Sequence, residues 1–126
     1  MVSAFLRNEG NTVKNRIWSF LIVHSEFDYS MKDIARFSKV SYTALKRIWK
    51  DLINRKIVVH TRNVGKAKMY KLNRVNPQVE KFIDYYWSVV ESVVKKELKK
   101  EDEKISEKYS KTLSSVSAVP ASVKHV

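Results

Sequence analysis

The sequence IARFSKVSYTALKRIWKDL, residues 34–52, decides the fold that we expect for this chain. Its apolar residues repeat at helical spacing on both sides of SKVS, a stretch that interrupts the pattern. Ser30 is a suitable N-cap for the first helix, because Asp33 follows three residues later as in a capping box. The stretch therefore predicts two short helices joined by a tight turn.

The second of these helices, predicted from about residue 42 to 55, has two contrasting faces. At 100° per residue, its apolar side chains form one stripe, and hydroxyl, amide and basic side chains lie opposite. Asp51 lies at the margin, where it can pair with Arg47 or Arg55 four residues away. The apolar stripe consists of Leu45, Ile48, Trp49 and Leu52, and the polar face of Thr43, Lys46, Arg47, Lys50 and Asn54.

Further elements are predicted on either side of this pair. A helix that begins after Asn11 or Thr12 is apolar nearly all round, which is typical of a buried helix. SEFDYS, which follows it, is too short for more than a turn or a minimal strand. Downstream, KIVVHTR and AKMYKLN flank the turn signal NVGK and predict a β-hairpin. Asn76 then caps a last helix with Pro77 at its first position.

The fold class that follows is mainly α with a small β-hairpin (α+β). We expect a flexible N-terminus over residues 1–10 and a domain of helices and hairpin over 11–75. An amphipathic C-terminal helix is predicted over 76–100. Residues 101–126 are charged and then rich in Ser and Val, so we expect a disordered tail there.

Basic charge is concentrated in the middle of the chain. The 126 residues include 25 Lys and Arg against 13 Asp and Glu, a net charge of +12. Residues 31–74 hold thirteen of these basic residues and only two acids, Asp33 and Asp51, which is a net +11. This excess favours a polyanionic partner, and its concentration argues against a lysine-rich but functionally neutral surface.

The polar face of the second helix suits the major groove of B-DNA. The groove admits one helix and exposes hydrogen-bond donors and acceptors on base edges. Short hydroxyl side chains at the helix start allow a close approach, and the amide dipole beside Ser41 favours a phosphate. Arg47 is the best candidate for a bidentate contact to guanine, and Lys46 and Lys50 for phosphate contacts. A solvated charged face is the alternative that the helix by itself leaves open.

The order of these elements resembles the winged helix–turn–helix of MarR-, ArsR- and PadR-type transcription regulators, with small archaeal regulators the most similar. The resemblance covers about residues 12–73. It rests on Ile34 and Ala35 in the first helix, Val40 and Ser41 in the turn, Leu45, Ile48 and Leu52 in the second helix, Ile57 before the hairpin, and KAKMYKLN as the second wing strand.

The resemblance implies a winged helix–turn–helix fold with a long C-terminal helix, and a function in sequence-specific binding of double-stranded DNA without a cofactor. The second helix would enter the major groove, and the hairpin, or wing, would contact the adjacent backbone or minor groove. The DNA-binding residues expected are Lys39, Ser41, Tyr42, Thr43, Lys46, Arg47, Lys50, Arg62, Lys66 and Lys68.

Lys39 and Lys56 depart from the family pattern, because they occupy turn positions that these regulators often give to glycine. A left-handed backbone at either position would cost a lysine about 1 kcal/mol. A lysine there can add a phosphate contact; alternatively, the turns differ from those of the family.

The resemblance also implies a homodimer that forms through terminal helices, and the apolar face of the last helix fits this role. Two alternatives stay open. In the first, the helix packs only on its own domain, against the first helix. In the second, the chain is a DNA-coating or adaptor protein, as in plasmid partition or viral genome handling, and this helix docks another protein. The residues expected at the dimer interface are Val79, Phe82, Ile83, Tyr86, Trp87, Val90 and Val93.

Other classes of function have little support in the sequence. The chain has no cysteine, which excludes a disulfide framework and a thiol nucleophile. His24, His60 and His125 are separated from one another and from acids, so we expect neither an enzyme nor a metal site. No apolar run approaches the about 18 residues of a membrane span, and the start lacks a signal-peptide pattern. We therefore expect a cytoplasmic, nucleoid-associated protein with no membrane partner.

Overall fold

The structure is a computed structural model that describes residues 3–115, with side chains as far as residue 111. Within this range the elements are α1 Ala4–Glu9, α2 Val13–Val23, β1 Tyr29–Ser30, α3 Met31–Ser38, α4 Tyr42–Asn54, β2 Val58–Val64, β3 Ala67–Leu72 and α5 Pro77–Ser115. The chain divides into two units, Met1–Glu91 and Ser92–Val126. No helix among the described residues is long and apolar enough to cross a lipid bilayer.

Helix starts in the first unit are fixed by capping side chains. The hydroxyls of Thr12, Ser30 and Ser41 each accept a hydrogen bond from the backbone N–H three residues later. Asn76 accepts one from the Gln78 N–H at 2.9 Å, directly before α5. Each such cap stabilises its helix by about 1 kcal/mol. The starts predicted at Thr12, Ser30 and Asn76 are confirmed.

The three strands form one antiparallel sheet in the order β1-β3-β2. Val64 lies opposite Ala67, so Gly65 and Lys66 form a two-residue turn, and Gly65 adopts a φ of 60° that costs glycine little. The hairpin is therefore confirmed. β1 adds the minimal strand that SEFDYS allowed, with Tyr29 paired to Tyr70.

The core of the first unit lies between the helices and the inner face of the hairpin. Ile17 of α2, Ile34 of α3, Leu45 of α4, Ile57 before β2 and Val79 of α5 have no exposed surface. Burial of such side chains stabilises a fold by roughly 1.5–3 kcal/mol each. The apolar stripe predicted on the second helix of the pair therefore faces this core.

The N-terminus differs from the flexible segment that we expected over residues 1–10. Residues Ala4–Glu9 form α1, and Phe5 is only 1% exposed. Its ring lies 4.6 Å from that of Tyr86 and 6.0 Å from that of Phe82, centroid to centroid. Six residues are too few to show helical periodicity, and the burial of Phe5 depends on a helix distant in sequence.

The end of the last helix also differs from the prediction. We expected the helix to end near residue 100 and a disordered tail to follow, but α5 continues to Ser115. Lys and Glu are good helix formers, and oppositely charged side chains three or four residues apart add to helix stability. A run that looks like a solvated tail can therefore stay helical. The expected disorder over residues 116–126 lies outside the described residues.

Candidate nucleic-acid interface

The turn between α3 and α4 is built on a lysine in the left-handed conformation. Lys39 has φ 58° and ψ 42°. The Lys39 and Val40 N–H groups donate to the Arg36 and Ala35 carbonyls, at 3.2 and 3.0 Å. Arg16 of α2 donates from its guanidinium to the Lys39 carbonyl at 2.8 Å. The turn that glycine often makes in this fold is thus made here by a lysine whose carbonyl is held from another helix.

The turn after α4 repeats this arrangement. Lys56 has φ 56°, and the Ile57 N–H donates to the Leu52 carbonyl at 2.9 Å, which closes the helix in a Schellman motif. The side-chain amides of Asn73 and Asn76 donate to the Lys56 carbonyl at 2.9 and 3.0 Å. Each left-handed lysine costs about 1 kcal/mol, and these external donors hold the backbone in that conformation. Both ends of α4 are therefore fixed.

The polar face of α4 is exposed along its length. Ser41, Tyr42 and Thr43 lie at its start, and the basic side chains follow on the next turns. The Lys46 ammonium lies 5.2 Å from the centre of the Tyr42 ring. Among residues 3–115, no carboxylate lies within ion-pair distance of the three basic side chains of this face, Lys46, Arg47 and Lys50.

The two acids of residues 31–74 pair with arginines away from this face. Asp33 binds Arg36 at 3.3 Å, and Asp51 binds Arg55 at 3.3 Å, which decides between the two partners that the sequence left open for Asp51. Surface pairs of this kind contribute at most about 1 kcal/mol. Their consequence here is that the cations of the polar face of α4 keep their positive potential.

The start of α4 and the wing line a common cleft of about 390 Å³. Tyr42 contributes from α4, and Lys66 and Lys68 contribute from the tip and second strand of the wing. Lys32, in the first turn of α3, lies in the same cleft. The sequence indicated Lys32 only as part of the basic excess, and its position two residues after the N-cap Ser30 is the signal that could have singled it out.

Arg62, a wing residue expected to contact DNA, binds a carboxylate of its own chain. Its guanidinium forms two hydrogen bonds with the Asp28 carboxylate, at 2.9 and 3.1 Å, and Thr61 donates a third. These contacts, that of Arg62 first, lower the pKa of Asp28 to about 2, and Asp28 in turn raises the pKa of Arg62. Arg62 thus joins the wing to the segment before β1, although its side chain stays 64% exposed.

An aromatic contact positions the wing beside α4. Trp49, on the buried face of α4, lies edge-on to Tyr70 of β3 with ring centroids 5.1 Å apart. Such a pair contributes about 0.5–1.5 kcal/mol beyond the area it buries. The exposed face of α4 and the wing tip are therefore held in a defined arrangement.

The residues expected at a dimer interface divide into two groups. Val79 and Tyr86 are buried in their own unit at 0% and 2% exposure, and Phe82 stacks on Trp18 with centroids 4.2 Å apart. Trp87 is 48% exposed. Ile83, Val90 and Val93 are half-buried. The α5 face thus covers its own domain with one part and leaves the other part accessible.

Histidines and carboxylates do not converge in the described part of the chain. Among residues 3–115, no group of three His, Cys, Asp or Glu side chains is placed to hold a metal ion. His60 is exposed and contacts Asn63 at 2.7 Å, and His24, at the end of α2, packs against Phe20. His125 lies outside the described residues.

No protein-family model and no curated protein sequence matches this chain. Solved structures are similar in fold. MepR, a transcription regulator of the Staphylococcus aureus multidrug efflux pump MepA, is 18% identical with a TM-score of 0.55, over 82% of this chain and 78% of that one. The adhesin competence repressor AdcR of Streptococcus pyogenes is 16% identical with a TM-score of 0.54, over 86% and 85%.

A third similar structure is that of ZitR from Lactococcus lactis in complex with DNA, 17% identical with a TM-score of 0.51, over 79% of this chain and 72% of that one. At these identities the similarity concerns the fold. The chain has the winged helix–turn–helix fold, mainly helical with a small antiparallel sheet, as predicted from the sequence.

Proposed function

We propose that this protein is a transcriptional regulator that binds double-stranded DNA in a sequence-specific manner. One observation carries the proposal: the exposed polar face of α4 has three cations without an acid partner among residues 3–115, and it lies beside a wing that ends in further lysines. The ZitR complex, in which a protein of similar fold is bound to DNA, supports it.

In the proposed complex, α4 lies in the major groove. Thr43 and Arg47 face base edges, and Arg47 makes a bidentate contact with a guanine. Lys46 and Lys50 contact phosphates, which fix the position of the helix without reading sequence. Because Ser41 and Thr43 are short, the backbone can approach the groove closely.

The wing and the start of α3 hold the flanking backbone in this proposal. Lys66 and Lys68 reach an adjacent phosphate or minor groove, where cations are favoured. Lys32 faces the same cleft and adds a third cation to it. The bound protein would regulate transcription by occupying its DNA site, where it either blocks other proteins or recruits them.

The protein is proposed to act as a homodimer through the accessible part of the α5 face. Trp87, Ile83, Val90 and Val93 would form its contacts, while Val79, Phe82 and Tyr86 support them from within the same chain. A two-fold dimer presents its two copies of α4 about 34 Å apart, one turn of the DNA helix, and therefore requires a pseudo-palindromic site. Sedimentation at micromolar concentration should give a dimeric mass, and a monomeric mass would rule the dimer out.

Selection from a random pool of duplex DNA, followed by footprinting, tests the proposed function. A regulator should enrich one motif and protect one short symmetric site at all concentrations above its Kd. Protection that spreads outward with rising concentration would instead identify a DNA-coating adaptor. Failure to enrich any motif would contradict sequence-specific binding.

A further inference from the structure

Arg16 of α2 links two separate segments of the chain through its guanidinium group. Its Nη1 donates to the Lys39 carbonyl at 2.8 Å, and its Nε donates to Asn11 Oδ1 at 2.5 Å. A guanidinium is planar and its N–H groups point in fixed directions, so two such bonds define the relative position of both acceptors. Arg16 therefore sets where the turn between α3 and α4 lies relative to the segment between α1 and α2.

The segment that contains Asn11 is itself anchored. The Asn15 side-chain amide donates to the Gly10 carbonyl at 3.0 Å. The Tyr85 hydroxyl of α5 donates to the carboxylate of Glu9, the last residue of α1. The buried aromatic side chain of α1 packs against the same helix. The contacts of Arg16 thus continue through α1 to α5.

The other acceptor of Arg16 lies directly before α4. The Lys39 carbonyl belongs to the peptide that joins Lys39 to Val40, and Ser41, the N-cap of α4, follows. The far end of α4 is held at the Lys56 turn. Because α4 has 13 residues and is about 20 Å long, a tilt of about 5° about that end would move its start by about 2 Å. Such a displacement exceeds the range of about 0.5 Å in donor–acceptor distance over which a hydrogen bond forms.

We propose that Arg16 is a positioning residue for DNA binding: it holds the turn before α4 in place and does not itself contact DNA. The inference rests on the proposed function and names a residue outside the expected DNA-binding set. Base contacts depend on the position of α4, because the short side chains at its start and the planar guanidinium of Arg47 must meet base edges directly. Lysine contacts to phosphate tolerate a displacement, since the flexible side chain can follow it. Loss of Arg16 should therefore weaken sequence-specific binding more than non-specific binding.

Arg16→Met tests the proposal through the affinities for the duplex obtained by selection and for a scrambled duplex. The variant has a side chain of similar shape without donors, and it should bind the selected duplex about tenfold and the scrambled duplex less than about twofold more weakly. Lys14→Met removes one charge from an exposed position of the same helix. It is the matched control and should leave the ratio of the two affinities unchanged. An unchanged ratio in Arg16→Met would overturn the proposal.

Asn11→Ala tests the second contact of Arg16 without a change in charge. It should lower the affinity for the selected duplex about threefold, because the guanidinium then has one acceptor fewer to orient it. The double variant should bind no more weakly than Arg16→Met, since Asn11 acts through Arg16. Losses that add in the double variant, or an unchanged affinity in Asn11→Ala, would contradict the arrangement.

The salt dependence of affinity separates a positioning residue from a phosphate contact. Log affinity of Arg16→Met should fall with log salt at the slope of the wild-type protein, since no phosphate contact is lost. A slope less steep by about 0.9 would show that Arg16 itself neutralises a phosphate, and the proposal would then be wrong. Urea denaturation of each variant checks that the protein is folded under the binding conditions. Asn11 is exposed, so Asn11→Ala still tests the proposal if Arg16→Met does not fold.

Amide hydrogen exchange of the protein without DNA tests the role of Arg16 in the turn independently. The Lys39 and Val40 N–H groups close the turn before α4 and should exchange about fivefold faster or more in Arg16→Met. The Ile57 N–H closes the turn after α4 and should exchange at the wild-type rate. An unchanged rate at Val40 would overturn this inference even if selection yields one symmetric site. Faster exchange at Val40 in a protein for which selection yields no motif would contradict the proposed function and leave the contact of Arg16 with the turn in place.

Discussion

Lysine at two left-handed positions is the most unusual feature of the molecule at the scale of single residues. Glycine adopts this backbone conformation freely, whereas lysine pays a steric cost. Replacement of Lys39 or Lys56 by glycine should therefore raise the free energy of unfolding by about 1 kcal/mol, as measured by urea denaturation. Only Lys39→Gly should also weaken DNA binding, because Lys39 adjoins the start of α4 and is expected from the sequence to contact DNA.

Lys56→Gly is the matched control for this prediction, since it relieves the same strain at the other end of α4. Equal losses of DNA affinity in both variants would show that the turns act through helix position and not through a phosphate contact. A lower free energy of unfolding for either variant would contradict the inference that the backbone of that lysine is strained.

The contact between Asp28 and Arg62 predicts a response to acid. The pKa of Asp28 lies at about 2, below its ordinary value of 3.8, so the ionised carboxylate stabilises the fold above pH 3.8. This contribution is lost as the pH falls from 3.8 through about 2. Arg62→Gln should raise the pKa of Asp28 toward 3.8, and Thr61→Val should raise it less, as measured by NMR titration of the carboxyl. A pKa that stays near 2 in Arg62→Gln would contradict this role of Arg62.

At the scale of secondary-structure elements, α4 and the wing should contribute differently to the proposed DNA binding. Arg47→Ala should cost about 1–3 kcal/mol on the selected site and relax the preference at one base position in each half-site. Lys66→Ala should weaken binding to all duplexes by a similar factor, because a phosphate contact carries no sequence information. Affinities for the selected site and for a scrambled duplex distinguish the two effects. Uniform weakening by Arg47→Ala would exclude its base contact.

The short helix α1 makes a prediction of its own. Phe5 is buried against Tyr86 and Phe82 of α5, so Phe5→Ala should lower the free energy of unfolding by about 3–5 kcal/mol. Asn8→Ala, on the exposed side of the same helix, should change it by less than about 0.5 kcal/mol. If both substitutions had equally small effects, the N-terminus would instead be the flexible segment that its sequence suggested.

Elements with local signals could be predicted from the sequence, and those that depend on distant contacts could not. The starts at Thr12 and Ser30, the cap at Asn76 and the hairpin turn at Gly65 each follow from residues within a few positions of one another. The burial of Phe5 requires α5 to be in place. The helical run from residue 101 to 115 lacks the apolar face that usually marks a helix, because its charged side chains surround a narrow stripe.

At the scale of the whole molecule, the candidate site shows the same division between local and distant information. The exposed face of α4 could be predicted because helical periodicity alone separates Thr43 and Arg47 from the core. The ion pair between Arg62 and Asp28 could not be predicted, because the two residues are 34 positions apart in the sequence. The segment that contains Asp28 reaches the wing only when β1 pairs with β3. The inclusion of Lys32 in the cleft likewise depends on how α3 and the wing pack.

The salt dependence of DNA affinity tests most directly that the cations of residues 31–74 carry binding. With about 5–8 phosphates neutralised per protomer, log affinity should fall with log salt at a slope of roughly −0.9 per phosphate. Removal of Lys46, Lys50 and Lys66 together should make this slope less steep by about 3, whereas removal of Lys96, Lys99 and Lys100 of α5 should leave it unchanged. An affinity insensitive to salt, or equal changes in both triple variants, would contradict the assignment of DNA binding to α4 and the wing.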